Sequence, residues 1–320
     1  MTFFARLFSL LLLSFLFALP AAAQPPTPLI PQQTLLVYDQ RTEPTALLAS
    51  YYNAISRGDY ARAYHYWEQA PAEQTELQFA NGFADTFGAR VLVELPIFAD
   101  AGAGNLYASV PTLVIALRTD LTQQFYQGCF VLHKTNVPVG NAAEPDPNWY
   151  LQRATLRQVA APDFTSLAAS CEAHTNLTEN PFEPQTLDPL GVIETYFTSI
   201  AKFDISSAET NWENAADDVV ISTYSRELRA MLSFNLFVNP EIYGQGAAGS
   251  SYAKVPAMLM LNAPDGTHSY LTGCYTTRAS NVPVGDATTP DPNWHITVAT
   301  VNLEFDPLVA VGTLAAGCEG

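Results

Sequence analysis

Gly128-Cys129, Asn136-Val-Pro-Val-Gly140 and Pro145-Asp-Pro-Asn-Trp149 return word for word as Gly273-Cys274, Asn281-Val-Pro-Val-Gly285 and Pro290-Asp-Pro-Asn-Trp294. The displacement is constant (273 − 128 = 145, and likewise for the other two words), so no residue has been gained or lost between the copies across this region. That is a duplicated domain. Working outward from it, each helix or strand can be read twice.

Upstream, Leu47, Leu48, Tyr51, Tyr52 and Ile55 are apolar at the spacing of one helical face, and Val192, Ile193, Tyr196, Phe197 and Ile200 hold the same places in the second copy. Asp59 and Asp204 read as N-caps that open a second helix, with Ala63 and Trp67, or Ala208 and Trp212, at its i, i+4 positions. Phe79, Phe83 and Phe87 recur every four residues and predict a third, aromatic-faced helix, matched by Tyr224, Leu228 and Leu232. From Ala89 the period changes to two. Val91, Val93 and Leu95 alternate, and Val110 to Leu117, Phe125 to Leu132 and Trp149 to Val159 are rich in β-branched and aromatic residues, which predicts strands. Short connections such as Asp120-Leu-Thr122 and Asp265-Gly-Thr267 imply an antiparallel sheet. Each copy is therefore α+β, three helices and about four strands.

The repeated prolines, Pro138, Pro145 and Pro147 with Pro283, Pro290 and Pro292, stiffen a loop longer than an ordinary hairpin connection, and Trp149 and Trp294 close it. These eight residues are candidate interaction loops, or a rigid approach to a Trp that caps the core. His133 precedes the loop in one copy and Arg278 in the other, which argues against a duplicated acid–base role. Each copy ends on a lone Cys. The duplication favours Cys129–Cys171 and Cys274–Cys318, each closed within one copy. Such bridges would contribute roughly 3–4 kcal/mol each on the chain-entropy model. The cysteine and histidine spacings match no zinc motif, so neither metal nor cofactor is expected.

At the amino terminus Arg6 precedes an apolar run from Leu7 to Leu19 and then Ala21-Ala22-Ala23. This reads as a secretory signal peptide over 1–23, with no membrane insertion after its removal and a destination outside the cytoplasm; the alternative is a membrane anchor that stays on, for which the run is short. A Pro-rich tether follows over 24–44, the first domain over 45–172, a linker over 173–189 and the second domain over 190–320. The chain carries 31 acidic and 14 basic residues, net −17. Such a field repels phosphate backbones, so nucleic acid is not an expected partner.

Helices opened by Tyr51-Tyr52 and by Asp59 to Trp67, a third with Phe79 and Phe83, and long strands ending in the one begun by Trp149 together resemble the nuclear transport factor two-like superfamily. The resemblance covers about 45–160 and 190–305. It implies a cone-shaped domain, three helices packed on a curved antiparallel sheet, whose pocket serves isomerase, dehydratase or polyketide-cyclase chemistry in some members and binding in others. Tyr51, Phe79, Phe83, Phe87, Tyr196, Tyr224 and Leu228 are the candidate pocket residues. Family enzymes usually place an Asp, often with a His or Tyr, inside the cone. Asp59, Asp100 and His133 all read more simply as structural, and no catalytic residue is assignable. The expectation is an exported, non-catalytic tandem domain binding a small ligand or an extracellular partner. The alternatives are a lyase or isomerase acting in one cone, and a structural surface protein.

Overall fold

The computed structural model describes residues 36–138, 144–171, 188–247, 249–283 and 289–318. The signal segment, the start of the tether and all of the linker up to residue 187 lie outside them. The fold is α+β, with a large antiparallel sheet and few helices. Three helices come first, α1 (Pro44–Ser56), α2 (Tyr60–Tyr64) and α3 (Glu76–Asn81), then five strands, β1 (Thr86–Leu95), β2 (Phe98–Gly102), β3 (Asn105–Arg118), β4 (Gln123–Thr135) and β5 (Tyr150–Val159). The second half repeats the order with α4 (Pro189–Ala201), α5 (Ile205–Glu209), α6 (Val219–Ala230), β6 (Ser233–Val238), β7 (Gly244–Ala247), β8 (Ser250–Asn262), β9 (His268–Ser280) and β10 (His295–Glu304), and adds α7 (Pro307–Ala316).

The two halves share one sheet, in the order β10-β9-β8-β6-β1-β3-β4-β5, with β2 on β3 and β7 on β8. They join where β1 meets β6, with Val93 opposite Val238, Glu94 opposite Phe237 and Leu95 opposite Leu236. Alternation along these strands divides the core into two layers. Val91, Val93, Leu95, Leu236 and Val238 face the helices α1 and α4, whereas Leu92, Leu113, Phe237 and Met258 face the carboxy-terminal tails of the two copies. Phe164 of the first tail packs on Phe237 of the other half, ring centroids 4.8 Å apart. Burying Phe164 and Leu167 there stabilises the tail by about 1.5–3 kcal/mol each.

Pro111 and Pro256 sit inside long strands, where a missing N–H ordinarily breaks a ladder. Each falls where its strand changes partner. Pro111 lies between the stretch of β3 paired with β2 and that paired with β1, and Pro256 lies between the stretches of β8 paired with β7 and β6.

Two helix expectations are corrected. The second helix ends at Tyr64, so Trp67 is not on it. The chain instead pairs with the edge of β5, Leu151 N–H donating to Tyr66 O (2.8 Å) and Glu68 N–H to Leu151 O (2.9 Å). The second copy does the same through Asn211, Glu213 and Ile296. The third helix is also shorter than its aromatic stripe. Phe83 lies past α3, Phe87 opens β1 with 45% of its surface exposed, and Leu232 lies past α6. Phe79 and Phe83 pack on the core while Phe87 and Leu232 are exposed, so the four-residue recurrence does not mark one buried helical face.

From Leu36 on, the end of the segment read as a tether is laid along α1. Gln40 N–H donates to Ser50 Oγ (2.7 Å), which donates back to Gln40 O (2.8 Å). Tyr38 N–H donates to Asn53 Oδ1 and Asn53 Nδ2 to Leu36 O, both at 3.0 Å.

Candidate functional site

The repeated words are accounted for by local structure. A side chain at Gly128 or Gly273 would land on the carbonyl oxygen of Thr155 or Thr300 in the neighbouring strand, so only glycine lets those strands approach. The cysteine that follows each glycine is bonded to the tail of its own copy, Cys129 to Cys171 and Cys274 to Cys318. In Pro145-Asp-Pro-Asn, Asp146 Oδ1 accepts from Asn148 N (3.0 Å) and Nδ2 (2.9 Å), and Oδ2 accepts from the Tyr150 hydroxyl (2.7 Å). Partial burial opposes ionisation, but the bonds from Asn148 and Tyr150 hold the Asp146 carboxyl below its usual range. Asp291 makes the same turn with Asn293 N (2.9 Å) and His295 Nε2 (3.3 Å). Trp149 is buried and Trp294 half-buried against the core, Pro145 is half-buried, and Pro138, Pro147, Pro283, Pro290 and Pro292 are exposed. Residues 139–143 and 284–288 of these loops lie outside the described residues.

His133 stacks on Tyr107 and bonds Glu68 (2.9 Å) and Asn105 (2.8 Å) through its two ring nitrogens. Arg278 takes the matching partners, Glu213 and Ser250. The two halves thus hold one structural contact with different side chains. Asp59 and Asp204 cap α2 and α5 by accepting from Arg62 N (3.2 Å) and Ser207 N (3.1 Å). Asp100 accepts from the adjacent Ala101 N–H.

The aromatic residues expected to line pockets fill the core instead. Tyr51, Phe79, Tyr196 and Leu228 are buried, and Phe83 and Tyr224 pack against them. In the second half these surround a carboxylate that sequence reading passed over. Asp218 caps α6, accepting from Val220 N (3.0 Å) and Ile221 N (2.9 Å), and takes the Tyr196 hydroxyl on both oxygens at 2.8 Å. Burial raises its affinity for a proton despite those bonds. The Tyr275 hydroxyl and Trp212 Nε1 lie buried without a hydrogen bond among the described residues. The first half has exposed Glu73 for Asp218, Phe130 for Tyr275 and Phe79 for Tyr224. Aligning the copies at their constant offset marks these differences in the sequence. Asp218 is 6% exposed, and Tyr196, Trp212, Val220 and Tyr275 are buried with it.

An open cavity lies elsewhere, at the junction of the halves. It encloses about 370 Å³ between Leu95 and Pro96 of the first half, Glu194, Thr198 and Ala201 on α4, Phe203 beyond that helix, and residues 231–234 and 236 leading into β6. Its mouth carries Phe203 and Leu232, 65% and 76% exposed. Burial, reinforced by the neighbouring charge of Asp188, raises the pKa of the Glu194 carboxyl. The matching place in the first half is filled. There Asn53, the counterpart of Thr198, holds Leu36 and Tyr38 and also donates to Glu241 Oε1 (2.8 Å), the counterpart of Pro96. Compared with known proteins, the chain matches no protein-family model, no curated protein and no solved structure.

Proposed function

We propose that the chain is an exported, non-catalytic binding protein built from two fused cone-like domains of the nuclear transport factor two-like kind, each with three helices against a curved sheet, and that it binds through the groove between α4 and Leu95-Pro96. The observation that carries this reading is the contrast between the aromatic interiors, packed with side chains, and an open apolar groove of about 370 Å³ between the halves. The amino-terminal apolar run and two disulfides, which persist in oxidising compartments, support an extracytoplasmic setting. An apolar dye whose fluorescence rises on desolvation tests the groove. Wild-type protein should enhance it, and Phe203→Asp with Leu232→Asp, both at exposed positions, should remove most of the enhancement while the circular dichroism spectrum stays unchanged. Undiminished enhancement in that variant would remove the groove from consideration.

A second reading, a lyase or isomerase acting in the second half, is favoured by the Asp218–Tyr196 pair beside an unbonded Tyr275 hydroxyl. It requires the packed interior to open. Turnover abolished by Asp218→Asn, with folding intact, would put it ahead of the binding reading.

A further inference from the structure

Resting on the binding reading above, we infer that the groove takes an extended peptide segment of a partner chain, apolar with one basic side chain, laid along α4 as Leu36–Gln40 is laid along α1. The first half supplies the pattern. Ser50 and Asn53, three apart on one face of α1, bond residues 36, 38 and 40, the alternate residues of an extended chain. Their counterparts on α4 are Thr195 and Thr198. Each offers a hydroxyl able to donate and accept, each is exposed, and neither side chain is bonded to another described residue. The helix face that grips a strand in one half is thus reproduced in the other and, among the described residues, unengaged.

The occupant's chemistry follows from what lines the groove beside Thr198. Met231, Leu232, Phe234 and Phe203 offer apolar surface to alternate side chains. Glu194 replaces Ala49 of the first half and places a half-buried carboxylate in the wall, with Asp188 adding a second negative charge nearby. A Lys or Arg would neutralise that wall, whereas an acidic peptide would meet like charge in a chain of net charge −17. The chain's own residues 181–185, which precede α4 by the interval at which 36–40 precede α1, are the competing occupant.

The test uses the full chain and two labelled pentapeptides. Both carry the Leu36–Gln40 sequence, one with lysine at its fourth position and one with glutamate there, and binding is read by fluorescence anisotropy. The lysine peptide should bind at least tenfold more tightly than its twin, and Glu194→Gln should shrink that preference. Thr195→Val with Thr198→Val, at exposed positions, should weaken the lysine peptide about tenfold with the circular dichroism spectrum unchanged, since hydrogen bonds to the peptide backbone are removed. Dye enhancement without binding of either peptide would overturn the peptide inference and leave the binding reading standing; loss of both would overturn both. Peptide binding that appears only after residues 181–185 are replaced by Gly and Ser would assign the groove to the chain itself and overturn the partner proposal.

Discussion

Glu94 places a buried carboxyl at the seam between the halves, and replacing it by Gln should stabilise the protein in a pH-dependent way. Its carboxyl is buried, 4% exposed, and receives one hydrogen bond from Asn235 Nδ2 of the other half (2.7 Å), while Oε2 has no hydrogen-bond partner among the described residues. Burial pushes its pKa from 4.5 up to about 7, against the opposing pull of Asn235 and the Ala168 backbone. Below pH 4.5 both the folded and unfolded chains carry the proton, and its stability contribution is complete. As pH rises, the unfolded chain ionises first, so that contribution falls from about pH 4.5 and is lost once the folded pKa near 7 is passed. At 1.36 kcal/mol per pH unit the loss approaches about 3 kcal/mol. Glu94→Gln keeps an oxygen for Asn235 and removes the charge. At pH 8 its Tm should therefore exceed that of wild type by about 5–10 °C, at roughly 2–4 °C per kcal/mol, and at pH 4 the two should coincide. Thermal unfolding followed by near-ultraviolet circular dichroism between pH 4 and 8 measures both. Other carboxyls whose pKa is raised, Glu43, Glu194 and Asp218 among them, bend the absolute curves in the same direction, so the difference between variant and wild type is the quantity that counts. Equal Tm values at pH 8, or an equal gain at both ends, would refute the assignment of this penalty to Glu94.

Removing the second bridge by Cys274→Ser with Cys318→Ser should cost about 2–4 kcal/mol and accelerate amide hydrogen exchange in α7 selectively, because α7 is tied to β9 by that bond; unchanged exchange there would contradict the role given to the tail. Gly128→Ala should cost about 1–3 kcal/mol in urea unfolding, since β5 must move off β4 to admit a methyl group; a silent substitution would show that the close approach is not limiting. Leu121→Gly should gain up to about 1 kcal/mol, because Leu121 holds φ at 66° in the turn where the other copy has Gly266 at 82°; a loss of stability would mean that the leucine side chain matters more than its backbone.

The duplication made the order of elements legible, because two independent spellings of one pattern seldom mislead in the same place. Leu47 to Ile55 and Val192 to Ile200 agree on a helix, and the exact spacing of their elements follows from the constant offset. Both copies could nevertheless share an error. Ala63–Trp67 and Ala208–Trp212 each have helical spacing, yet both Trp residues lie on segments that pair with a strand edge, a tertiary contact invisible to local periodicity. Phe87 was hidden in the same way at the start of a strand. The junction was beyond sequence reading for a different reason. β1 alternates like a strand with one buried face, and nothing local says that its free edge is covered by its own duplicate. The site residues were missed because attention fell on what repeats. Asp218, Tyr275, Glu194, Thr195 and Thr198 are found by asking where matching positions differ in polarity.

The register at the junction explains why such differences could accumulate. Val93 faces Val238, its own counterpart 145 residues on, and the ladder runs from there through Glu94 and Phe237 to Leu95 and Leu236. This is the pairing of an isologous dimer, in which each copy covers the other's exposed strand edge. In a symmetric dimer every change at the seam is imposed twice. Within one chain the two sides vary separately. Glu94 meets Asn235 on one side, while on the other Arg90, the counterpart of Asn235, turns to Glu241 (2.6 Å), and Asn239 stands where the first copy has Glu94. Arg90 and Glu241 join the network that fastens Leu36–Gln40 over α1, whereas Pro96, the counterpart of Glu241, offers no charge and leaves a groove. The asymmetry at the seam and the open groove are therefore two results of the same freedom: with one side closed by the chain itself, the other side can change without disturbing the first.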